Sequence, residues 1–194
     1  RDKAQLAARL RQMKAIPRAQ LSGMDAVNYD AVVDVMEVEH AANQRFDYGN
    51  GGAGQPYVLS QLNGAYQEIP DFLGSQHVIE TKADADAYLA RLEAFAAVMD
   101  QETGWARREH AMGVVPPDFV VERTLTQMRG LKVAPEQSPL VTSVADRARQ
   151  KGIAGDYAGQ AAKIFAGKVV PALDRQIALM EGLTDPISGM IMGK

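Results

Sequence analysis

The sequence contains no cysteine. That excludes disulfides, thiolate metal sites and a cysteine nucleophile, and leaves the compartment open. No apolar run approaches the ~20 residues needed to span a bilayer. Basic residues do not cluster; the densest pair is Arg107-Arg108, and the formal net charge is −3. A nucleic-acid partner, which needs a concentrated basic surface, is therefore not expected. G-x-S-x-G, S-x-x-K and P-loop patterns are all missing, which removes the common serine-nucleophile and nucleotide-phosphate chemistries. There is no repeat period, no low-complexity tract and no signal peptide. The sequence begins at Arg1 rather than methionine, which predicts processing or trimming.

What is present suits an ordinary globular domain: 194 residues, 46% hydrophobic and 23% charged. That is enough chain for one real core. Periodicity is helical nearly throughout, so the expectation is an all-α region of long antiparallel helices across residues 1–194, interrupted by one irregular Gly/Pro-rich segment. Leu6, Leu10 and Met13 mark a first short helix, interrupted by Pro17. Ser22 and Asp25 predict a capping box opening a helix to about Phe46, with Val32, Val35, Ala42 and Phe46 near one face. Gly49–Gly54 (GNGGAG) matches G-x-G-x-x-G literally. It follows a helix instead of a strand, and Pro56 comes where a helix should open, so it reads as a loop. Tyr57–Gln61 reads as a short extended piece and Ile69–Gly74 as a single helical turn.

Thr81 and Asp84 predict a second cap. Tyr88, Leu92, Phe95 and Met99 then form the stripe of a long helix to about Ala111, with Gly104 as a weak point. Val121, Leu125 and Met128 give the face of a helix starting near Pro117. Ser138-Pro139 opens another, to about Lys151. The last helix should run from Asp156 to Gly182 on Ala162, Phe165, Val169, Leu173, Ile177 and Met180. Pro171 inside it predicts a kink or a missing backbone bond. Asp185-Pro186 should end it, and the apolar tail Ile187–Lys194 should pack on something.

Residues that could carry chemistry are few. Glu37 and His40 form a Glu-x-x-His pair of the kind used in di-iron bundles. No second pair accompanies it, so a surface contact between the two is the plainer reading. Asp84/Asp86 and Glu122/Glu136 read as exposed helix carboxylates. Trp105 reads as a packing anchor, and Met180, Met190 and Met192 as core or interface packing. The segment Tyr57–His77 differs, being polar and aromatic without helical period. Its amide and imidazole groups, Gln61, Asn63 and His77, are of the type that lines ligand clefts. The alternative is that they only satisfy loop backbone.

Three stretches carry a resemblance: Pro56–Leu92 (PYVLSQLNGAYQEIPDFLGSQHVIETKADADAYLARL), Gly113–Leu125 (GVVPPDFVVERTL) and Val169–Leu179 (VVPALDRQIAL). Together they resemble a bacterial domain-of-unknown-function family, number eight-eight-five, related to thermolysin-like zinc peptidases (gluzincins). The resemblance spans roughly Met24 to Leu183. It implies the helical, non-catalytic amino-terminal part of a zinc-dependent, carboxypeptidase-like protein. The H-E-x-x-H motif would lie further along. The histidines here, His40, His77 and His110, are never followed by Glu and no two are four apart, so this chain cannot form that zinc site. Zinc is thus expected in a C-terminal part beyond this chain, and no cofactor within it.

On this reading Gln61, Asn63 and His77 face a substrate cleft that the missing part completes. The implied partners are the rest of the same polypeptide and a peptide substrate, and a periplasmic or cell-envelope location follows by resemblance. The competing expectation is a non-enzymatic helical binding or scaffold protein.

Overall fold

The computed structural model describes residues 3–49 and 56–183. Every named element among them is helical; a lone bridge between Ser60 and Asn63 is the sole extended pairing. The all-α expectation holds. Contacts gather into two units, residues 1–56 and 57–194. The glycine-rich segment 50–54, the Asp185-Pro186 stop and the tail from Ile187 lie outside the described residues.

The first unit is a hairpin of α1 (Lys3–Lys14) and α2 (Gly23–Arg45). Pairings of Lys3 with Asp47, Lys14 with Glu37 and Arg18 with Asp30 fix an antiparallel register. Ser22 occupies the N-cap position of α2, but its side chain makes no cap bond. The predicted box with Asp25 is absent; the entry turns through Gly23 at φ +56°. The less exposed residues of α2 are Ala26, Tyr29, Val33, Met36, His40 and Asn43, spaced by threes and fours along one side. Val32, Val35, Ala42 and Phe46 are all exposed. Glu37 and His40 do not pair: Glu37 engages Lys14, and His40 Nε2 lies 3.1 Å from Gln44 Nε2.

The second unit is built on α4 (Lys82–Ala111), which follows α3 (Ala65–Asp71) and a π turn at Phe72–Gln76. The predicted turn at Ile69–Gly74 is thus the middle of a longer helical piece. At 1.5 Å per residue α4 runs about 45 Å. It starts at the predicted cap: Asp84 N donates to Thr81 Oγ1 at 3.3 Å, and Thr81 N donates to Asp84 Oδ2 at 2.8 Å. Gly104 does not interrupt it. After it come α5 (Asp118–Gly130), α6 (Pro139–Gln150), α7 (Tyr157–Ile164) and α8 (Val170–Glu181).

A π turn at Phe165–Val169 joins α7 to α8 directly upstream of Pro171. Pro171 has no N–H, and its ring crowds the carbonyl four residues back. Widening the preceding turn absorbs that conflict while the helix continues.

Helix directions follow connectivity. Arg129–Glu181 and Lys132–Asp174 make α5 and α8 antiparallel. Glu93–Lys168 and Asp100–Arg175 make α4 and the α7–α8 segment parallel. Short loops favour antiparallel neighbours, but here α5 and α6 intervene and carry the chain back. The shared core takes Tyr88, Leu92, Phe95 and Met99 from α4 and Val121, Leu125 and Met128 from α5. Phe165, Val169, Leu173, Ile177 and Met180 complete it from the last segment. Trp105 packs on its edge.

Candidate functional site

The irregular segment 57–64 has no periodic pattern to fold it, so side chains must satisfy its backbone. Asn63 does most of this. Its Nδ2 donates to Tyr57 O at 2.8 Å and Val58 O at 2.9 Å, and its Oδ1 accepts from Ser60 Oγ. Ser60 and Asn63 also exchange backbone bonds across the bridge, at 3.1 and 3.4 Å. The hydroxyl of buried Tyr66 lies 2.8 Å from Ser60 O and 2.7 Å from Gln127 Oε1. With one proton it donates to one of them at a time. Burial pushes that phenol up to about 12.

Two buried carboxylates of α4 hold the segment from beneath. Glu109 Oε2 accepts from Val58 N at 3.4 Å. Both oxygens of Glu102 accept from Ala65 N, each at 3.0 Å. Glu102 is 9% exposed, and burial pushes its carboxyl up to about 7; the Glu68 charge adds to this, while the Ala65 N–H and the Gln176 amide oppose it. Gln176 of α8 is fully buried, its Nε2 3.4 Å from Met99 O. Its Oε1 has no hydrogen-bond partner among the described residues.

These residues were legible in one respect. The α4 stripe at 88, 92, 95 and 99 continues in register as Glu102, Ala106 and Glu109. Carboxylates in an apolar register are the signal that charge-based reading discards.

On the outer side of the segment Leu62 is 73% exposed. The Gln61 backbone oxygen accepts from Gln127 Nε2 at 3.4 Å. The Gln61 side-chain Oε1 is buried without a partner among the described residues.

His77 sits elsewhere. Its ring lies edge-on between Phe72 and Tyr88, at centroid distances of 6.3 and 5.4 Å. Nε2 donates to Asp84 O at 2.9 Å and Nδ1 accepts from Arg91 Nη1 at 2.9 Å, which defines a neutral tautomer. Arg147 donates to His77 O at 2.5 Å and Leu73 O at 2.8 Å, with its guanidinium over the Tyr88 ring. The structure brings Gln61 and Asn63 together over residues 102–109 of α4, and places His77 beside residues 84–91. The two places are about 25 Å apart along the helix. Asn63 and His77 both have their polar atoms engaged internally.

Among the described residues, no three His, Asp or Glu side chains are placed to hold a metal ion. The described residues therefore assemble no ligand set for zinc. No helix among the described residues is long and apolar enough to cross a membrane.

The family described as "Bacterial protein of unknown function (DUF885)" matches residues 1–188, and the chain belongs to it. No curated protein matches. Among solved structures, the chain is similar to "the putative lipoprotein from Colwellia psychrerythraea", at a TM-score of 0.84 and 18% identity. The likeness covers 93% of this chain and 32% of that one, so the chain spans about a third of that protein's length. At that identity the likeness is one of fold.

Proposed function

We propose that this member of the DUF885 family is the helical amino-terminal part of a longer, zinc-dependent peptidase-like protein, in which it forms a wall of the substrate cleft. The observation that carries this reading is the 57–64 segment. Buried groups fix it from below through Asn63, Glu102 and Glu109. On its outer side it offers the exposed Leu62 beside the partly exposed Gln61, whose carboxamide oxygen is buried and has no partner among the described residues. A rigid loop with one apolar and one amide contact is suited to an extended peptide. Asn63 shapes the loop, and His77 fixes the entry to α4. In this reading the metal is held by residues outside this chain, and the peptide and the rest of the polypeptide are its partners. The "putative lipoprotein" likeness supports a cell-envelope location.

The test uses the full-length natural protein. The expected results are bound zinc, cleavage of unstructured peptides, and a raised KM with unchanged thermal stability for Gln61→Ala. No zinc and no cleavage by the wild-type protein would sink the enzyme reading. Unchanged KM in Gln61→Ala would sink the placement of the cleft.

A non-enzymatic binding or scaffold role is the second reading. What favours it is the row of exposed valines on α2.

A further inference from the structure

The helix α2 has two apolar faces on opposite sides. The inner one, Ala26, Tyr29, Val33, Met36, His40 and Asn43, repeats at threes and fours and is the less exposed. The outer one is Met24, Val27, Ala31, Val35, Val38 and Ala42. At 100° per residue these six fall within about 80° of arc, roughly opposite the first. All six are exposed, Val35 and Val38 at 64% each. An apolar stripe held at three- and four-residue spacing over about 27 Å is the pattern of a helix seam. Beside it a groove of about 600 Å³ opens between α1 and α2, walled by Leu6, Val32 and Met36 among others.

We propose that this outer face of α2 is the seat of a helix supplied by the remainder of a longer polypeptide. The inference rests on the part-of-a-longer-protein element of the reading above, and not on peptidase activity. Two observations select this occupant. The solved relative matches 93% of this chain yet is about three times as long, so that fold continues into further polypeptide. The rims of the stripe carry exposed Asp34 on one side and Glu39 on the other. A second copy docked on this face would set acidic rims against acidic rims, which is unfavourable. The occupant is therefore an amphipathic helix with an apolar stripe flanked by Lys or Arg.

Because this sequence has no cysteine, one introduced thiol reports on the face. Val35→Cys, and separately the smaller change Ala31→Cys, would be made in the 194-residue chain and in the full-length protein, with any other cysteines there replaced by serine. Maleimide labelling rates are compared with those in urea. In the 194-residue chain the thiols should react within a few-fold of the unfolded rate. In the full-length protein they should react at least 100-fold more slowly, at a rate independent of protein concentration.

Fast labelling in the full-length protein overturns the proposal. So does protection that grows with concentration, which marks a second copy. Protection already present in the 194-residue chain, or a reading frame ending at Lys194, also overturns it. Protection without peptide cleavage would sink the enzyme reading and leave this inference standing; cleavage with reactive thiols would do the reverse.

Discussion

Glu102 holds the backbone amide of Ala65 with both carboxylate oxygens, each 3.0 Å from the nitrogen. The bond ties the first residue of α3 to the middle of α4, and through the neighbouring Gln176 to α8. One N–H shared by two oxygens, with the Gln176 amide beside it, is thin compensation for a buried charge.

That imbalance sets a pH dependence. The folded-state value of Glu102 is raised to about 7 from 4.5, so the native state binds the proton more tightly than the unfolded chain. Its contribution to stability is full below pH ~4.5 and is lost as pH rises through about 7, on the order of 2–3 kcal/mol in total. Urea denaturation between pH 5 and 8 should show this decline, and Glu102→Gln should flatten it. Equal slopes in the two proteins would rule it out.

Asn63 is expected to depend on its donors more than on its volume. Asn63→Asp would turn a carboxylate oxygen toward the carbonyls of Tyr57 and Val58, whereas Asn63→Ala only leaves them unpaired. The aspartate should cost about 3–4 kcal/mol and the alanine about 2 kcal/mol. Chemical denaturation of the two variants checks the order; an aspartate no worse than alanine would refute the assignment.

Arg147 is expected to act through two carbonyls at once. Arg147→Met would keep the packing over Tyr88 while stranding the oxygens of Leu73 and His77, at a cost of about 2–3 kcal/mol. Arg147→Lys, lacking the planar fork, should recover about half. Amide exchange at residues 73–80 should quicken in the same order, and unchanged exchange would deny Arg147 this role.

Where a segment had a period, sequence reading found it. The stripe from Tyr88 to Met99 and the one from Phe165 to Met180 are both buried, because in α4 and α8 one apolar face meets one core. In α2 the rule is ambiguous for a physical reason: two apolar faces oppose each other, and spacing alone does not say which one meets α1. Val35 lies on the exposed one, and Val32 between the two, beside the groove against α1. Segment 57–64 has no period, so its geometry depends on Asn63, Tyr66 and two carboxylates 37 and 51 residues downstream of the amides they serve. Glu102 and Glu109 were hidden because charge on a helix is normally a solvated face.

Two similar N-terminal signals behave differently here, and that contrast gives the last prediction. Thr81 and Asp84 form the reciprocal box at the start of α4. The Thr81 hydroxyl, together with the Thr81 and Glu80 amides, holds the Asp84 carboxyl below its ordinary value. Ser22 and Asp25 have the same spacing at the start of α2, yet Ser22 makes no side-chain cap bond. Thr81→Ala should therefore cost about 1 kcal/mol, and Ser22→Ala only a few tenths. The first loss should also shrink as pH falls and Asp84 is protonated, since half of the box needs its carboxylate. Thermal denaturation of both variants at pH 7 and pH 3 separates these outcomes. Equal costs at pH 7 would mean that the sequence pattern, and not the hydrogen bonds formed, sets the strength of a cap in this protein.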